Sequence, residues 1–600
     1  MALPIGFQHA TSQATAISLS LLVGACAVCA LYRWLLPRPF PGIPFNRHAS
    51  RSILGDIPDM ISDPTVKGDF SGWTLKQIQK LRSPLIQIFV RPFGKPILVL
   101  ADFRESQDVM MRRTREFDRS FMEGEMFSGI LPNHHIHRKS DSVWKSHRKL
   151  LQDLMTQTFL HNVAAPAIHA SALNLVRLWI TKAEIANEKS FSASSDIYHG
   201  ALDAVLAFSF GENSRYSAIK PQLDLLRKLT KEEISLVKAS GKTPEDPVLF
   251  PQAAFNDAIQ ATLDLSATVE TTMATPTPKL AWAFLKWTTK IRKALNTRDS
   301  FIRLEVREAV KRLQDDGLDD SKIRSAVDHI VERENRFAAK EGRTPNFFSN
   351  DIFDEVFGFV VAGHDTTSTT LLWGLKYLTD NPSCTTRLRL DLQTAYSTAM
   401  SEGRSPSVEE IIRVSIPYLE ATIEEILRCA TTIAMVVREA TTDTELLGHR
   451  IPKGTTVIMA GNGPSILSPT MDVNETSRSN SARLAKAEGR SRAWDEQEIG
   501  VFNPDRWLAA PNKDFNKGGD DKRAFDATAG PHISFGLGTR GCFGRRLAYL
   551  ELRIILVLLI WNFELLPCAQ KLSGYEAVEG ITRKPRNCYV KLRKVPQLKI

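Results

Sequence analysis

Apolar positions along the chain recur mainly at helical spacing, broken by a few short alternating runs. Ala14 to Leu36 carries one charge, Arg33, over a length sufficient to cross a bilayer, which takes roughly 20 residues. Trp73 to Leu81 has the apolar spacing of a helix, and Leu85 to Val90 with Ile97 to Leu100 reads as a hairpin around Arg91 to Pro96. Asp102, with Glu105 three residues later, can cap the helix that follows. Phe117 to Ser140 has no period and predicts loop. From Leu173 to Lys340 apolar and charged residues mix at mainly helical spacing, with polar breaks near Lys238 to Pro247 and Asp315 to Asp320. Asp351 to Leu378 predicts a long, largely uncharged helix ending before Asn381 and Pro382, and another helix follows Pro417. Asn462 to Trp494 is rich in Ser, Arg and Asn and predicts a mobile surface insertion over 463–493. Leu547 to Leu559 reads as a buried helix.

Composition changes this picture little. A length of 600 residues suggests about four domains, yet no composition break supports division, and 43% hydrophobic with 24% charged residues suits one large core. Seven cysteines without paired spacing argue for a reducing compartment. No Lys or Arg precedes the N-terminal apolar run, whereas Arg33 and Arg38 close it, so it reads as an anchor that keeps the downstream chain in the cytosol. A cleaved signal peptide, with Ala25-Cys26-Ala27 as a loose cleavage site, and a plain core helix are the alternatives. Pro37 to Pro44 is too proline-rich for a helix or strand interior and suits a stiff spacer.

Chemistry concentrates late in the chain. Phe535 to Gly544 places four glycines in ten residues, a backbone able to lie close against a flat ligand, with Cys542 just before a helix N-terminus that favours thiolate. No second cysteine stands at zinc spacing, so a lone thiolate points to an axial ligand of haem, with Arg540 available to a propionate. Trp144 and Arg148, four apart, present two donors on one helix face. Ala362 to Thr370 stacks poor helix formers in the middle of a helix, which a purely structural helix would avoid. His134, His135 and His137 invite a metal reading, but Arg138 and Lys139 oppose a cation and solvated loop histidines are the ordinary case. The Asp315 to Asp320 run lacks calcium-loop spacing and reads as solvated.

Phe535, Gly538, Arg540, Cys542 and Gly544 fill every fixed place of F-x-x-G-x-R-x-C-x-G, and the chain thereby resembles the cytochrome P450 family of haem-thiolate monooxygenases. Ala362 to Thr367 matches A-G-x-[DE]-T-T, Trp144 and Arg148 match W-x-x-x-R, and Glu425 and Arg428 match E-x-x-R. Phe502, Pro504, Arg506 and Trp507 resemble F-x-P-x-R, with Asp505 where glutamate is more usual. The resemblance implies a mainly α fold, the cytochrome P450 fold, a helical domain with a small β-sheet region plus one N-terminal transmembrane helix. It divides the chain into an anchor (1–36), a proline-rich hinge (37–48) and a catalytic domain (49–600). It implies haem b on the Cys542 thiolate, with Trp144, Arg148, Arg438, Phe535 and Arg540 as cofactor-binding residues. Asp365 and Thr366 would relay protons beside a distorted helix. Glu425, Arg428 and Arg506 would hold the cysteine loop, while Thr431 to Val437 and the turn Ala577 to Ile581 would line the pocket, the latter followed by a strand Cys588 to Leu592.

The same resemblance implies membrane lipid, dioxygen, a small lipophilic substrate and an NADPH-dependent cytochrome P450 reductase as partners, with cytochrome b5 as a further donor and no nucleic acid. Roughly sixty residues after Cys542 cannot hold a flavin domain. A net charge of +10, with Lys145, Arg148, Lys149, Arg545 and Arg546 on the thiolate side, suits an acidic reductase. The expected location is the endoplasmic reticulum membrane, single-pass, with the catalytic domain cytosolic. Phe117 to Ser120 and Leu150 to Asp153 are worded like filamentous-fungal members, many of which tailor secondary metabolites. An oxygen-independent isomerase or dehydratase acting on a peroxide, and a non-catalytic haem binder, are the competing functions.

Overall fold

The computed structural model describes residues 6–211, 215–316, 322–509 and 523–596; residues 317–320 of the predicted acidic run lie outside them. Its centre is one helix, Asn350–Asp380, started by Ser349 accepting the Ile352 N–H and stopped at Asn381 before Pro382. Contrary to the expected distortion, the helix is unbroken across 362–370. The hydroxyls of Thr366 and Thr370 donate to carbonyls four residues back, and Thr367, Thr369 and Thr370 bond neighbouring elements. Tertiary partners thus offset the poor helix propensity.

Glycines set how closely other helices approach this one. A Cβ at Gly363 would lie 2.7 Å from Val205 Cγ2, so the helix Ser194–Phe210 seats directly on its backbone. Pro417–Ala430 packs through Ile426 against Gly374, and Ala165–Ala186 and Arg545–Asn562 complete the core. The last of these starts two residues before, and ends three residues beyond, the predicted Leu547 to Leu559.

A five-stranded sheet flanks this helical body in the order Leu85–Ile88, Ile97–Leu100, Thr456–Ala460, Met435–Ala440, Phe117–Arg119. The expected hairpin pairs Leu85 with Leu100, and Asp102 caps the next helix, Phe103–Met111, by accepting the Glu105 N–H. The outer pairing sets Arg119 opposite Arg438. Three smaller sheets complete the strands among the described residues, one of them joining Phe191–Ser192, Tyr589–Lys594 and Phe563–Leu566.

Two expectations fail here. The stretch 117–140 is structured, with a strand, the helix Phe121–Phe127 capped by Ser120, and a 3-10 turn at His135–His137. The polar insertion is docked: Arg478 is buried and pairs with both oxygens of Asp102, and Ser479 and Ser481 donate to Asp108 from the start of the helix Asn480–Ala487. Its polarity makes specific contacts with helix Phe103–Met111 instead of solvating a mobile loop.

At the N-terminus, the helix Gly6–Leu35 includes Ser18–Leu35, which is apolar, unburied and long enough to cross a membrane. A second apolar helical run, Gln157–Ala186, is half buried in the core. Beyond the first helix, Gln87 holds Phe40 and Ile43 through three hydrogen bonds.

Candidate active site

The loop bearing Cys542 is shaped by its glycines. Gly536 and Gly538 take φ of +61° and +71°, and a Cβ at Gly538 would lie 2.3 Å from the Met110 carbonyl oxygen. The turn closes when the Cys542 N–H donates to the Phe535 carbonyl at 2.7 Å, and the Gly541 N–H donates to the Gly538 carbonyl. Behind it, Glu425 and Arg428 are fully buried and joined through two contacts of 2.7 and 2.9 Å. Arg506 and the indole of Trp507 add donors to the same carboxylate. Burial pushes Glu425 up, but these cations outweigh it and leave the carboxyl below its usual range. Arg428 also donates to the carbonyls of Ile466, Ile499 and Val501, so the expected network ties the chain ahead of the loop to the helix Pro417–Ala430.

Cys542 opens onto a cavity of about 360 Å3 between this loop and the long helix. The surrounding protein pushes its thiol up, while the Gly544 N–H and the cations Arg148 and Arg545 pull it back towards thiolate. The side chain is exposed only in the sense that it faces the cavity, since its surroundings are otherwise protein.

Cations converge on the same cavity. Trp144, Arg148, Arg438, Phe535 and Arg540 all line it. The Arg540 guanidinium lies 4.5 Å from the Trp144 ring centroid, and that of Arg148 lies 4.4 Å from the Phe543 ring. Burial and the neighbouring Arg119 push Arg540 down to about 9, and burial pushes Arg438 down to about 10. Nε and Nη1 of Arg540 and Nη2 of Arg438 are buried without an acceptor. Unsatisfied guanidinium N–H groups beside one another call for an anion. Beside a soft thiolate ligand and an apolar wall including Phe208, Phe359 and Val436, the residues fit haem, with its iron, flat macrocycle and carboxylates.

The expected proton-relay pair is separated. Thr366 lines the cavity, but Asp365 does not: it is buried on another side of the helix, where its Oδ2 accepts the Thr582 hydroxyl at 2.8 Å. The turn 577–581 likewise contributes nothing to the cavity lining, whereas Thr432, Ile433, Met435 and Val436 do.

Arg119 and Glu551, both on the wall, were not singled out in the sequence. Arg119 faces the cavity beside Arg438, a placement created by strand register. Glu551 lies on the wall one helical stretch after Cys542, with Oε2 accepting from the Thr367 hydroxyl at 3.0 Å and Oε1 without a partner. Burial pushes its carboxyl up to about 8. An acid in an apolar helical run was the available signal.

The three loop histidines are not solvated either: His134 is buried, and half-buried His137 bonds the Leu131 carbonyl through Nε2 at 2.6 Å. His134 and half-buried His135 surround the fully buried Glu355 together with His147 of the next helix.

Comparison with known proteins agrees with this geometry. The family model described as Cytochrome P450 matches residues 72–463 and 497–592, leaving the docked insertion between the matched parts. The chain is 42% identical to the cytochrome P450 monooxygenase TRI13 of Fusarium sporotrichioides over 96% of this chain and 99% of that protein. It is 35% identical to the cytochrome P450 monooxygenase GME11363 of Pestalotiopsis microspora over 97% of this chain and 99% of the relative. The Hps1-dma1 cluster cytochrome P450 monooxygenase cyp3.1 of Dothistroma septosporum is 39% identical over 49% of this chain and 96% of its own length. The chain belongs to the cytochrome P450 family and is a monooxygenase.

Proposed function

We propose that this monooxygenase uses NADPH-derived electrons to oxidise a small lipophilic substrate in fungal secondary metabolism, while anchored in the endoplasmic reticulum membrane with residues 49–600 in the cytosol. The observation that carries the reading is one apolar-walled cavity shared by Cys542, unpaired arginine donors and the Thr366 hydroxyl. Haem b, when bound, supplies the redox iron at which dioxygen is reduced. Cys542 would ligate that iron, Phe535 would support the loop against the ring, and Trp144, Arg148, Arg438 and Arg540 would hold the carboxylates, with Arg119 beside them.

Hydroxylation joins a C–H bond, dioxygen, two electrons and two protons to give an alcohol and water, so the chain must hold protons while excluding bulk solvent. Thr366 donates its own proton to the Ala362 carbonyl at 2.8 Å, leaving its oxygen to accept from a water in the cavity. Glu551, held near 8, stays protonated at neutral pH and faces the same space. Asp365 joins the relay when its side chain leaves Thr582.

Lys145, Lys149, Arg545 and Arg546 are exposed around the cysteine loop and favour an acidic reductase or cytochrome b5. The Dothistroma relative is named for the Hps1-dma1 cluster, which favours a biosynthetic role. The test is turnover of the full chain with NADPH-cytochrome P450 reductase under isotope-labelled dioxygen. The reading requires one labelled oxygen atom in the product. Product formed from a hydroperoxide without NADPH, and none from the unoxygenated compound with it, would replace this reading by the isomerase.

A further inference from the structure

Glu355 lies at the start of the long helix, outside the haem-binding set, yet it gathers the chain that forms one wall of the cavity. The segment 131–137 links the helix Phe121–Phe127 to the helix Ser142–Leu151, and His134, His135 and Ile136 line the cavity. The backbone N–H of His135 donates to Glu355 Oε1 at 2.8 Å, and its Nδ1 donates to Oε2 at 2.8 Å. His147 Nδ1 donates to Oε1 at 2.7 Å, and His134 Nε2 approaches Oε2 at 3.2 Å. Asp354 beside it accepts the backbone and side-chain N–H groups of Asn133 at 2.7 and 2.9 Å.

The histidines and the carboxylate lie close enough together to suggest a cation, but the hydrogen bonds argue otherwise. His134 Nδ1 accepts the Ile136 N–H at 3.1 Å, which places the ring proton on Nε2, towards Glu355. A neutral imidazole ligating a metal through Nε2 would carry its proton on Nδ1, against the Ile136 N–H. Four N–H donors already fill the carboxylate. Burial alone would push Glu355 up; the imidazoles outweigh it and hold the group well below the carboxylate range. Burial pushes His134 down to about 3, so its ring is neutral, while the bond to Glu355 raises His147.

One further contact makes the arrangement specific. A Cβ on Gly358, one turn after Glu355 and itself on the cavity wall, would lie 2.4 Å from His134 Nε2. The bare Cα is what lets the ring lie against the helix.

We infer that Glu355 is a latch: a positioning residue that, through His134, His135 and His147, holds the segment 131–137 closed against the long helix and so restricts the entry of bulky ligands to the cavity. This rests on the cavity being the haem and substrate chamber, and the haem spectrum tests that part separately. The contacts that the latch makes run to Glu355 from His134, His135 and His147, and none of these contacts involves the cysteine loop or a guanidinium.

The experiment uses full-chain holoenzyme of wild type, Glu355→Gln and Gly358→Ala. Gln keeps the shape but turns an N–H donor towards the imidazole donors, and Ala pushes the His134 ring away while leaving the carboxylate intact. The readouts are amide hydrogen exchange and the association rates of imidazole and 4-phenylimidazole with the haem iron. Glu355→Gln is expected to raise exchange in 131–137 by about tenfold or more, the scale of losing a charged hydrogen bond. Exchange in 370–378 stays unchanged. Association of 4-phenylimidazole accelerates severalfold while imidazole is unaffected, and the reduced carbonyl spectrum keeps its thiolate form. Gly358→Ala moves the same readouts in the same direction, and it alone decides if Glu355→Gln yields no holoenzyme. Unchanged loop exchange, or equal acceleration of both probes, would overturn the latch. A wild-type holoenzyme without the thiolate spectrum would instead overturn the chamber on which the latch rests.

Discussion

A carboxyl group whose burial holds it near 8 is a proton donor at neutral pH, and Glu551 combines this property with a place on the cavity wall. Glu551→Gln is expected to slow product formation by roughly 10²–10⁴-fold, the general scale for acid-base catalysis. Wild-type turnover should fall as pH rises past about 8 and Glu551 ionises, and that limb should vanish in the variant. Stability carries the same sign: Glu551 keeps its proton when folded but loses it near 4.5 when unfolded, so stability falls as pH rises from about 4.5 to about 8. Denaturant melts across that window should show a shallower slope for Glu551→Gln. Asp365→Asn should perturb turnover less than Glu551→Gln, and Thr366→Ala should lower product per NADPH while releasing peroxide. Equal turnover of wild type and Glu551→Gln at pH 7 would return the donor role to Asp365. Cys542 and Arg540 were legible as residues because fixed spacing among glycines is itself a local signal, and Trp144 because it stands four residues before Arg148. Glu551 was not singled out, because its significance depends on facing Thr367 across two helices.

Elements were legible wherever a local pattern decides them. The pair Asn381 and Pro382 ends the long helix, and Asp102 caps Phe103–Met111, both from local chemistry. The insertion was misread because its contacts are long-range: Arg478 meets Asp102 across 376 residues, and apolar periodicity carries no trace of a buried ion pair. That pair fixes the helix whose Met110 carbonyl crowds Gly538 of the cysteine loop. Arg478→Ala should therefore destabilise the protein by about 3–5 kcal/mol by stranding buried Asp102. Haem should be lost at a lower temperature than in wild type, followed by the Soret band during heating. An unaltered melting temperature would show that the insertion contributes no support.

At the scale of the whole molecule, one helix of about 46 Å, from 31 residues at 1.5 Å each, organises both the helical core and the cavity. The mainly helical architecture was expected from the matched motifs, whereas the strand register that brings Arg119 to Arg438 follows only from pairing distant segments. The unburied helix ahead of residue 36 predicts that deleting residues 1–36 shifts the protein from the membrane pellet towards the soluble fraction. Exposed Asn474, in Asn474-Glu475-Thr476, should stay unglycosylated if the body is cytosolic. A glycosidase-sensitive mass shift mapped to Asn474 would reverse that orientation. The central claim, that Cys542 and the arginine donors build a haem-thiolate chamber, is tested most directly by the reduced carbonyl spectrum of purified full-length protein. Wild type is predicted to show the red-shifted Soret band of a thiolate ligand, and Cys542→Ala none of it; the same band in both would contradict the account.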